Sequence, residues 1–382
     1  MRAIKKYILL AFLLENIAVQ TSLLGAFTNP LFFLFIGLGA VCMFDPIIWS
    51  STNIKKFRWM YILMGIYIIY AFGVGIEYTD QKAVLYLMAK LSTFSIVITS
   101  LTYNEKFYHE KAIWYLIIVM GFFLVYGMLT GAHVNEASGR MLAGYTNENT
   151  AGAMGALLVG MLLYYMKNRM WSKWTYLLIG IGFYGVLAGG SRAGFLMLFL
   201  LIFLCYGINF KTVGLIVALF ITGVFILPSI GINTVGLERL YNTYTGEEGS
   251  NRDLEREAAM WMIIQKPWTG WGVEAQNQGY ALQLTELGSH NGYLETFKMI
   301  GVPLGILWFV TVIITSFSYV RYLISKHKST DLFIALVIML FVKSMYEGLF
   351  VGVHEYATNL FFFALAMVSL QLYNGKYRIL KK

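Results

Sequence analysis

Two cysteines, Cys42 and Cys205, are all the chain has in 382 residues, and both lie inside apolar runs. That scarcity argues against a disulfide framework and excludes a cysteine-ligated metal on count alone. Charge is scarce too. Aspartate, glutamate, lysine and arginine make up 13% of the residues, about half the share of an ordinary soluble domain. Three further things are missing: an internal repeat, a low-complexity tract, and a polar stretch long enough to fold as a soluble domain. The alternating segments of about ten residues that build a transmembrane barrel are also absent.

What the chain has instead is hydrophobic residue, 58% of it. This recurs from end to end in runs of about 20 residues, the length that crosses a bilayer as a helix. Backbone polar groups in lipid must be satisfied within the segment, so each run is expected to be helical. The reading is an all-α, polytopic integral membrane protein with about twelve transmembrane helices. They are expected near 7–27, 30–50, 59–77, 83–102, 112–132, 150–166, 174–190, 194–210, 212–230, 292–318, 331–351 and 355–374. The start, "MRAIKKYILLAFLL", has a basic-then-apolar pattern but no small-residue cleavage site after it, and is read as an uncleaved first span.

The net charge of +9 is placed between the spans, as cytoplasmic loops require, and does not indicate nucleic acid. Nineteen lysines and arginines fall on one set of connections and seven on the other. This predicts cytoplasmic N- and C-termini. The opposite, extracytoplasmic side then carries a loop at 133–149 and one long loop at 231–291, between spans nine and ten, so 1–382 reads as a single membrane domain. Within the long loop "DLEREAAMWMIIQK" has a helical pattern, with Leu254, Ala258, Trp261 and Ile264 on one side, suited to the membrane surface.

Few cations fall on that outer side, and three of them sit beside glycine or in short turns. Arg140 lies in "SGRMLAGYTNENTAG", Arg192 in "AGGSRAGF" and Arg252 in "EEGSNRDLE"; His290 opens "HNGYLETFKMIG". Guanidinium forks suit phosphate oxyanions, glycines let backbone N–H groups approach an anion, and imidazoles take up protons near neutral pH. Together they suggest a lipid-linked phosphate or diphosphate ligand and proton abstraction from a hydroxyl. Each residue also has an ordinary reading. Arg192 can snorkel to headgroups, Arg140 and Arg252 can be loop charges, and His290 can begin a helix capped by Ser289 or Asn291. Trp261, Trp268 and Trp271 read as an interfacial belt.

Charges inside spans call for partners. Glu295 and Lys298, and Lys343 and Glu347, are spaced to neutralise each other on one helix face. They are also the best argument for the least favoured class, a transporter or flippase. His133 and His354 are expected outside, with nothing but position to mark them. No histidine pair has metal-site spacing. The acidic run Glu247, Glu248, Asp253, Glu255 and Glu257 reads as a solvated face.

These segments, in this order, resemble the O-antigen ligase and polymerase superfamily of bacterial polysaccharide assembly (Wzy- and WaaL-type proteins). The resemblance rests on His290-Asn291 with Gly301 after ten residues, on "GGSRAGF", on Arg140 followed by Gly144 and Asn149, and on Arg252, a helix and the Pro267, Gly270, Gly272 turn. It implies a glycosyltransferase of the bacterial cytoplasmic membrane, acting at the outer face on an undecaprenyl-diphosphate-linked oligosaccharide with no metal or cofactor. Arg192 and Arg252 would hold the diphosphate, Arg140 the diphosphate or glycan, and His290 would act as base, supported by Ser191, Asn291 and Asn149. The implied partners are the lipid-linked donor and acceptor, the bilayer, and a chain-length regulator and flippase of the same capsule or exopolysaccharide pathway. The expected product is a polymer on a second lipid-linked unit; the alternative is ligation to lipid A core, a protein or a wall component.

Overall fold

Apolar runs without internal partners for a ladder can satisfy their backbone only by coiling, and the computed structural model follows that rule. It describes residues 2–73, 81–130, 142, 144–145, 147–166, 173–207, 210–221, 252–272, 290–326 and 331–380. Among the described residues there is no strand, only an isolated bridge between Thr21 and Tyr145.

The helices are α1 (Arg2–Ala18), α2 (Thr28–Met43), α3 (Ser51–Lys56), α4 (Arg58–Gly73), α5 (Gln81–Glu110), α6 (Ala112–Leu129), α7 (Glu148–Met166) and α8 (Lys173–Gly189). They continue as α9 (Arg192–Tyr206), α10 (Phe210–Ile221), α11 (Arg252–Gln265), α12 (Gly292–Ile300), α13 (Val302–Ser325), α14 (Leu332–Lys343) and α15 (Tyr356–Leu380). Six helical stretches among the described residues are long and apolar enough to cross a membrane: Gly25–Met43, Ala83–Glu110, Ala112–Leu129, Asn149–Met166, Val302–Ser325 and Tyr356–Gly375. Arg58–Phe72, Arg192–Tyr206 and Leu332–Lys343 are apolar but shorter.

Several expected spans end early or break. The run expected over 292–318 is two helices, parted at Gly301, whose φ of +78° is left-handed and ends a helix at little cost only in glycine; Pro303 then opens α13. The span expected over 331–351 stops at Lys343. The first span is cut at Ala18, and the second at Met43, where the Asp45 carboxylate takes the Ile47 N–H. Of the span expected at 212–230, residues 222–230 lie outside the described residues, as does most of the loop expected at 231–291.

Helix α15 is buried on every side from Tyr356 to Leu370, as a helix apolar all round must be. Around it the ends of the bundle can be told apart. Tyr165 donates to the Glu110 carbonyl, Tyr206 donates to the Leu163 carbonyl, and the His109 and Phe333 rings lie 5.9 Å apart. The ends of α5, α7 and α9 therefore share one end of the bundle with the start of α14. The starts of α7 and α9 share the other with the end of α14.

At the first of these ends Lys5 Nζ sits 2.7 Å from Asp45 Oδ2, which also accepts from Tyr103. Burial pushes the Asp45 carboxyl up, but hydrogen bonds from Lys5, the Ile47 N–H and Tyr103 outweigh it and hold it below its usual value. The same bond raises Lys5. A depressed carboxyl stabilises the fold above its unfolded-state value, near 4, and that contribution is lost as pH falls through the folded-state value. The raised amine contributes below its unfolded-state value and is lost only at strongly alkaline pH. Asp45→Asn is expected to lower stability in detergent by about 1–3 kcal/mol at neutral pH and to flatten the acid limb of a Tm-against-pH curve. An unchanged acid limb would assign that loss to other carboxylates.

Candidate functional site

The site begins with glycines that let helix backbones touch. A Cβ on Gly194 of α9 would lie 2.9 Å from the Gly152 carbonyl carbon and oxygen, and one on Gly152 of α7 would lie 2.7 Å from Ser191 Cβ. One turn on, a Cβ on Gly155 would meet the Gly182 carbonyl oxygen of α8 at 2.4 Å. Small-residue faces of this kind bring membrane helices into close contact. Gly194→Ala is expected to cost about 1–3 kcal/mol, because the neighbour is the Gly152 backbone and cannot swing aside. Gly180→Ala in α8, which would meet nothing within 4 Å, should be neutral or mildly stabilising. Thermal melts of both variants in detergent give the comparison.

That contact places the two helix starts side by side. Ser191 is the N-cap of α9, its hydroxyl accepting the Gly194 N–H at 3.1 Å. Arg192 is thus the first residue of the helix, half-buried, where helix N–H groups and a guanidinium both favour an anion. Asn149 lies in the first turn of α7, its N–H bound by the Asn147 side chain at 2.8 Å. The structure therefore brings Ser191, Arg192 and Asn149 together. Just before α7, Gly144 (φ +77°) offers its carbonyl to the Ser22 N–H at 3.0 Å. Arg140 and His133 lie outside the described residues.

His290 is exposed and has φ +45°, the one non-glycine residue with positive φ among the described residues. Asn291 follows as N-cap of α12, accepting the N–H groups of Tyr293 and Leu294 at 3.0 and 3.2 Å. The Gly292 N–H donates to the Ser344 carbonyl at 2.7 Å, and a Cβ there would lie 2.0 Å from Ser344 Oγ. His290 is thereby seated on the turn that follows α14. That turn is at the same end of the bundle as the starts of α7 and α9, and α14 packs on α9.

The fourth motif is tied to the other end of α12. The N–H groups of Trp271 and Gly272 donate to the Lys298 and Met299 carbonyls, and Val302 N–H donates to the Pro267 carbonyl. Gly270 (φ +70°) passes so close that a Cβ would meet the Met299 carbonyl oxygen at 2.4 Å. The Pro267–Gly272 turn thus clasps the joint between α12 and α13. Arg252 is the first residue of α11; its side chain lies outside the described residues. Within α11 the sequence reading needs correcting. Leu254, Trp261 and Ile264 face outward as an apolar surface, while Ala258 is buried. Glu255 is not on a solvated face: it is 5% exposed, on the side that carries Ala259 and Met262. Asp253 and Glu257 are exposed as expected; Glu247 and Glu248 lie outside the described residues.

Beneath the His290 turn runs a polar seam that sequence reasoning only half found. Glu295 and Lys298 pair at 2.8 Å within α12. Lys343 and Glu347 also pair, though across the end of α14 and not along one helix face. Five further residues belong to it, and their pairing was missed. Lys90 of α5, enclosed by the rings of Tyr67, Tyr86 and Phe362, donates to the Phe350 and Gly352 carbonyls at 3.0 and 2.6 Å. His354 Nε2 lies 2.6 Å from Glu15 Oε1, and Asn359 donates to Asn16 at 2.7 Å. The available signal was Glu15 and Lys90 standing in apolar runs, where a charge requires a partner.

Fold and site together define a multi-span helical membrane protein whose Arg192, Arg252 and Asn291 stand at helix starts. The O-antigen ligase family model (Wzy_C) matches residues 177–309, about a third of the chain, from within α8 into α13 and including Arg192, Arg252 and His290. That segment is similar to the family, which supports the resemblance to the O-antigen ligase and polymerase superfamily drawn from the motifs and a role of that general type. No curated protein matches the chain.

Proposed function

We propose that the protein is a polysaccharide polymerase. It transfers an undecaprenyl-diphosphate-linked glycan to a hydroxyl of another lipid-linked repeat unit, at the outer face of the bacterial cytoplasmic membrane. Support comes above all from one observation: His290 stands exposed in a fixed turn at the same end of the bundle as Arg192 and the start of α9. In this reading His290 takes the proton from the acceptor hydroxyl. The hydroxyl oxygen attacks the anomeric carbon as the bond to the diphosphate breaks, with inversion. The electron pair leaves with the diphosphate, whose developing charge Arg192 and Arg252 offset, with Arg140 on the diphosphate or glycan. No metal or cofactor enters this scheme. The topology proposed with it is a single membrane domain, cytoplasmic termini and an extracytoplasmic loop at 231–291. A flippase and a chain-length regulator are its proposed neighbours.

A second reading, ligation to a terminal acceptor, is favoured by the description of the matching family as O-antigen ligase. The deciding experiment supplies a purified lipid-linked repeat unit as sole substrate and reads product length. A ladder of lengthening lipid-linked products is the expected result. No ladder until lipid A core, a protein or a wall acceptor is added would replace polymerase by ligase. No transfer to any acceptor, with the lipid-linked unit crossing a vesicle membrane, would mean transport.

A further inference from the structure

The end of the bundle far from His290 holds a cavity that glycosyl transfer does not use. Between α3 and α4 the chain reads Lys55, Lys56, Phe57, Arg58, Trp59. Phe57 leaves helical geometry (φ −113°, ψ +27°) and buries its ring completely. The turn is thereby pinned, and Lys55 and Arg58 on either side are left facing out. Ser369 of α15 fixes the turn a second time, donating to the Lys56 carbonyl at 2.9 Å. Between this turn and the later part of α15 lies a cavity of about 270 Å³, lined by Lys55, Lys56, Arg58, Ser369 and Tyr373 with Ile54, Trp59 and Leu372.

Three cations line this space and no acid does. None of the three has an acidic partner among the described residues. Among the described residues the Arg58 guanidinium lies over the Trp59 ring at 4.4 Å. Like charges gathered at a concave surface raise the local potential and favour an anion there. The rest of the lining is apolar or aromatic, which a free inorganic anion would leave wet. A phosphodiester with hydrocarbon attached satisfies both parts. The height is also right for a headgroup. Ser369 is thirteen residues beyond Tyr356 along α15, roughly 20 Å at the helical rise, at the opposite end from the seam of Lys90 and His354. Tryptophan is itself a residue of the membrane interface, and basic pockets between membrane helices suit anionic headgroups.

We propose that this cavity is a binding site for an anionic phospholipid. Its phosphate sits among Lys55, Lys56 and Arg58, and its glycerol and first acyl carbons lie on Ile54, Trp59 and Leu372. The bound lipid ties the α3–α4 turn to α15.

The test uses the full chain purified in detergent, titrated with dioleoyl phosphatidylglycerol or dioleoyl phosphatidylcholine, with bound lipids counted by native mass spectrometry. Phosphatidylglycerol is expected to bind at least tenfold more tightly. Lys56→Gln should weaken it about fivefold, and Lys55→Gln, Lys56→Gln and Arg58→Gln together roughly a hundredfold, to the phosphatidylcholine level. Lys56→Arg should keep it. Because the single variants retain an intact turn, they decide the matter if the triple variant does not fold. Equal binding of the two lipids, or phosphatidylglycerol binding unaffected by these substitutions, would overturn the proposal. A third arm adds inorganic phosphate. Retention of the lipid in millimolar phosphate supports a lipid site, and complete displacement would make it a site for free anions instead.

Discussion

Replacing His290 by alanine is expected to reduce transfer from a lipid-linked donor by roughly 10²–10⁴-fold, the usual contribution of a positioned general base. Two effects could cause such a loss, and the backbone allows them to be separated. At φ +45° a non-glycine residue is strained, and alanine tolerates that region less well than histidine or asparagine. His290→Ala therefore removes the imidazole and also disfavours the turn. His290→Gly removes the imidazole and relaxes the turn, with an expected gain of about 1 kcal/mol in stability. His290→Asn leaves the turn comfortable without a base of the right reach. If the proposal is right, all three variants lose activity together while their melting temperatures diverge, glycine highest and alanine lowest. Activity that followed melting temperature would instead make His290 a turn residue, with the base elsewhere.

The second large effect concerns Arg192. Arg192→Ala is expected to lower kcat by about 10²–10³-fold, the scale of removing one group that stabilises developing negative charge. Arg192→Lys should recover only part of that, because an ammonium keeps the charge and loses the planar fork. The N-cap bond of α9 belongs to Ser191 and is kept in both variants, and melts of each, run beside the kinetics, separate lost turnover from lost fold. Near-normal turnover in both variants would mean that Arg192 merely reaches for headgroups. Ser191→Ala offers the reverse pattern: a stability loss of about 1 kcal/mol from the missing cap, with an effect on catalysis only through the placement of Arg192.

Much of this was legible in the chain. Long apolar runs gave helices because lipid leaves the backbone no other choice. Ser289 and Asn291 were the candidate caps before Gly292, and Asn291 is the one that caps; the cap at Ser191 was not read. Span ends were less legible. The run from Gly292 reads as one helix with a self-neutralising Glu295–Lys298 pair, and the left-handed backbone at Gly301, with Pro303 after it, divides it. The run after Lys343 carries Tyr346, Leu349 and Phe350 and looks as though it continues, yet Gly348 and Gly352 fall in a turn. Least legible was the part of the seam made by Lys90, Glu15, His354 and Asn359. Periodicity describes neighbours along a helix, whereas Lys90 and its acceptor Phe350 are 260 residues apart. The inward turn of Glu255 was hidden for a similar reason, since an acidic run on an amphipathic helix resembles a solvated face until its packing partner is known.

The backbone contact of α7 with α9 bears on how such a protein could change its substrate. Gly194 meets the Gly152 main chain and Gly152 meets Ser191 Cβ, so the two helix starts are spaced by main chain and one small side chain. Asn147 is exposed, and its side chain binds the Asn149 N–H at the start of α7, so a residue with the same short acceptor, aspartate or serine, can replace it without moving the frame that carries Arg192. Selection for a new sugar would act on the decoration and leave the scaffold's geometry alone. Aspartate and serine at position 147 should retain folded protein, and larger residues at the two glycines should not, as thermal melts in detergent would read.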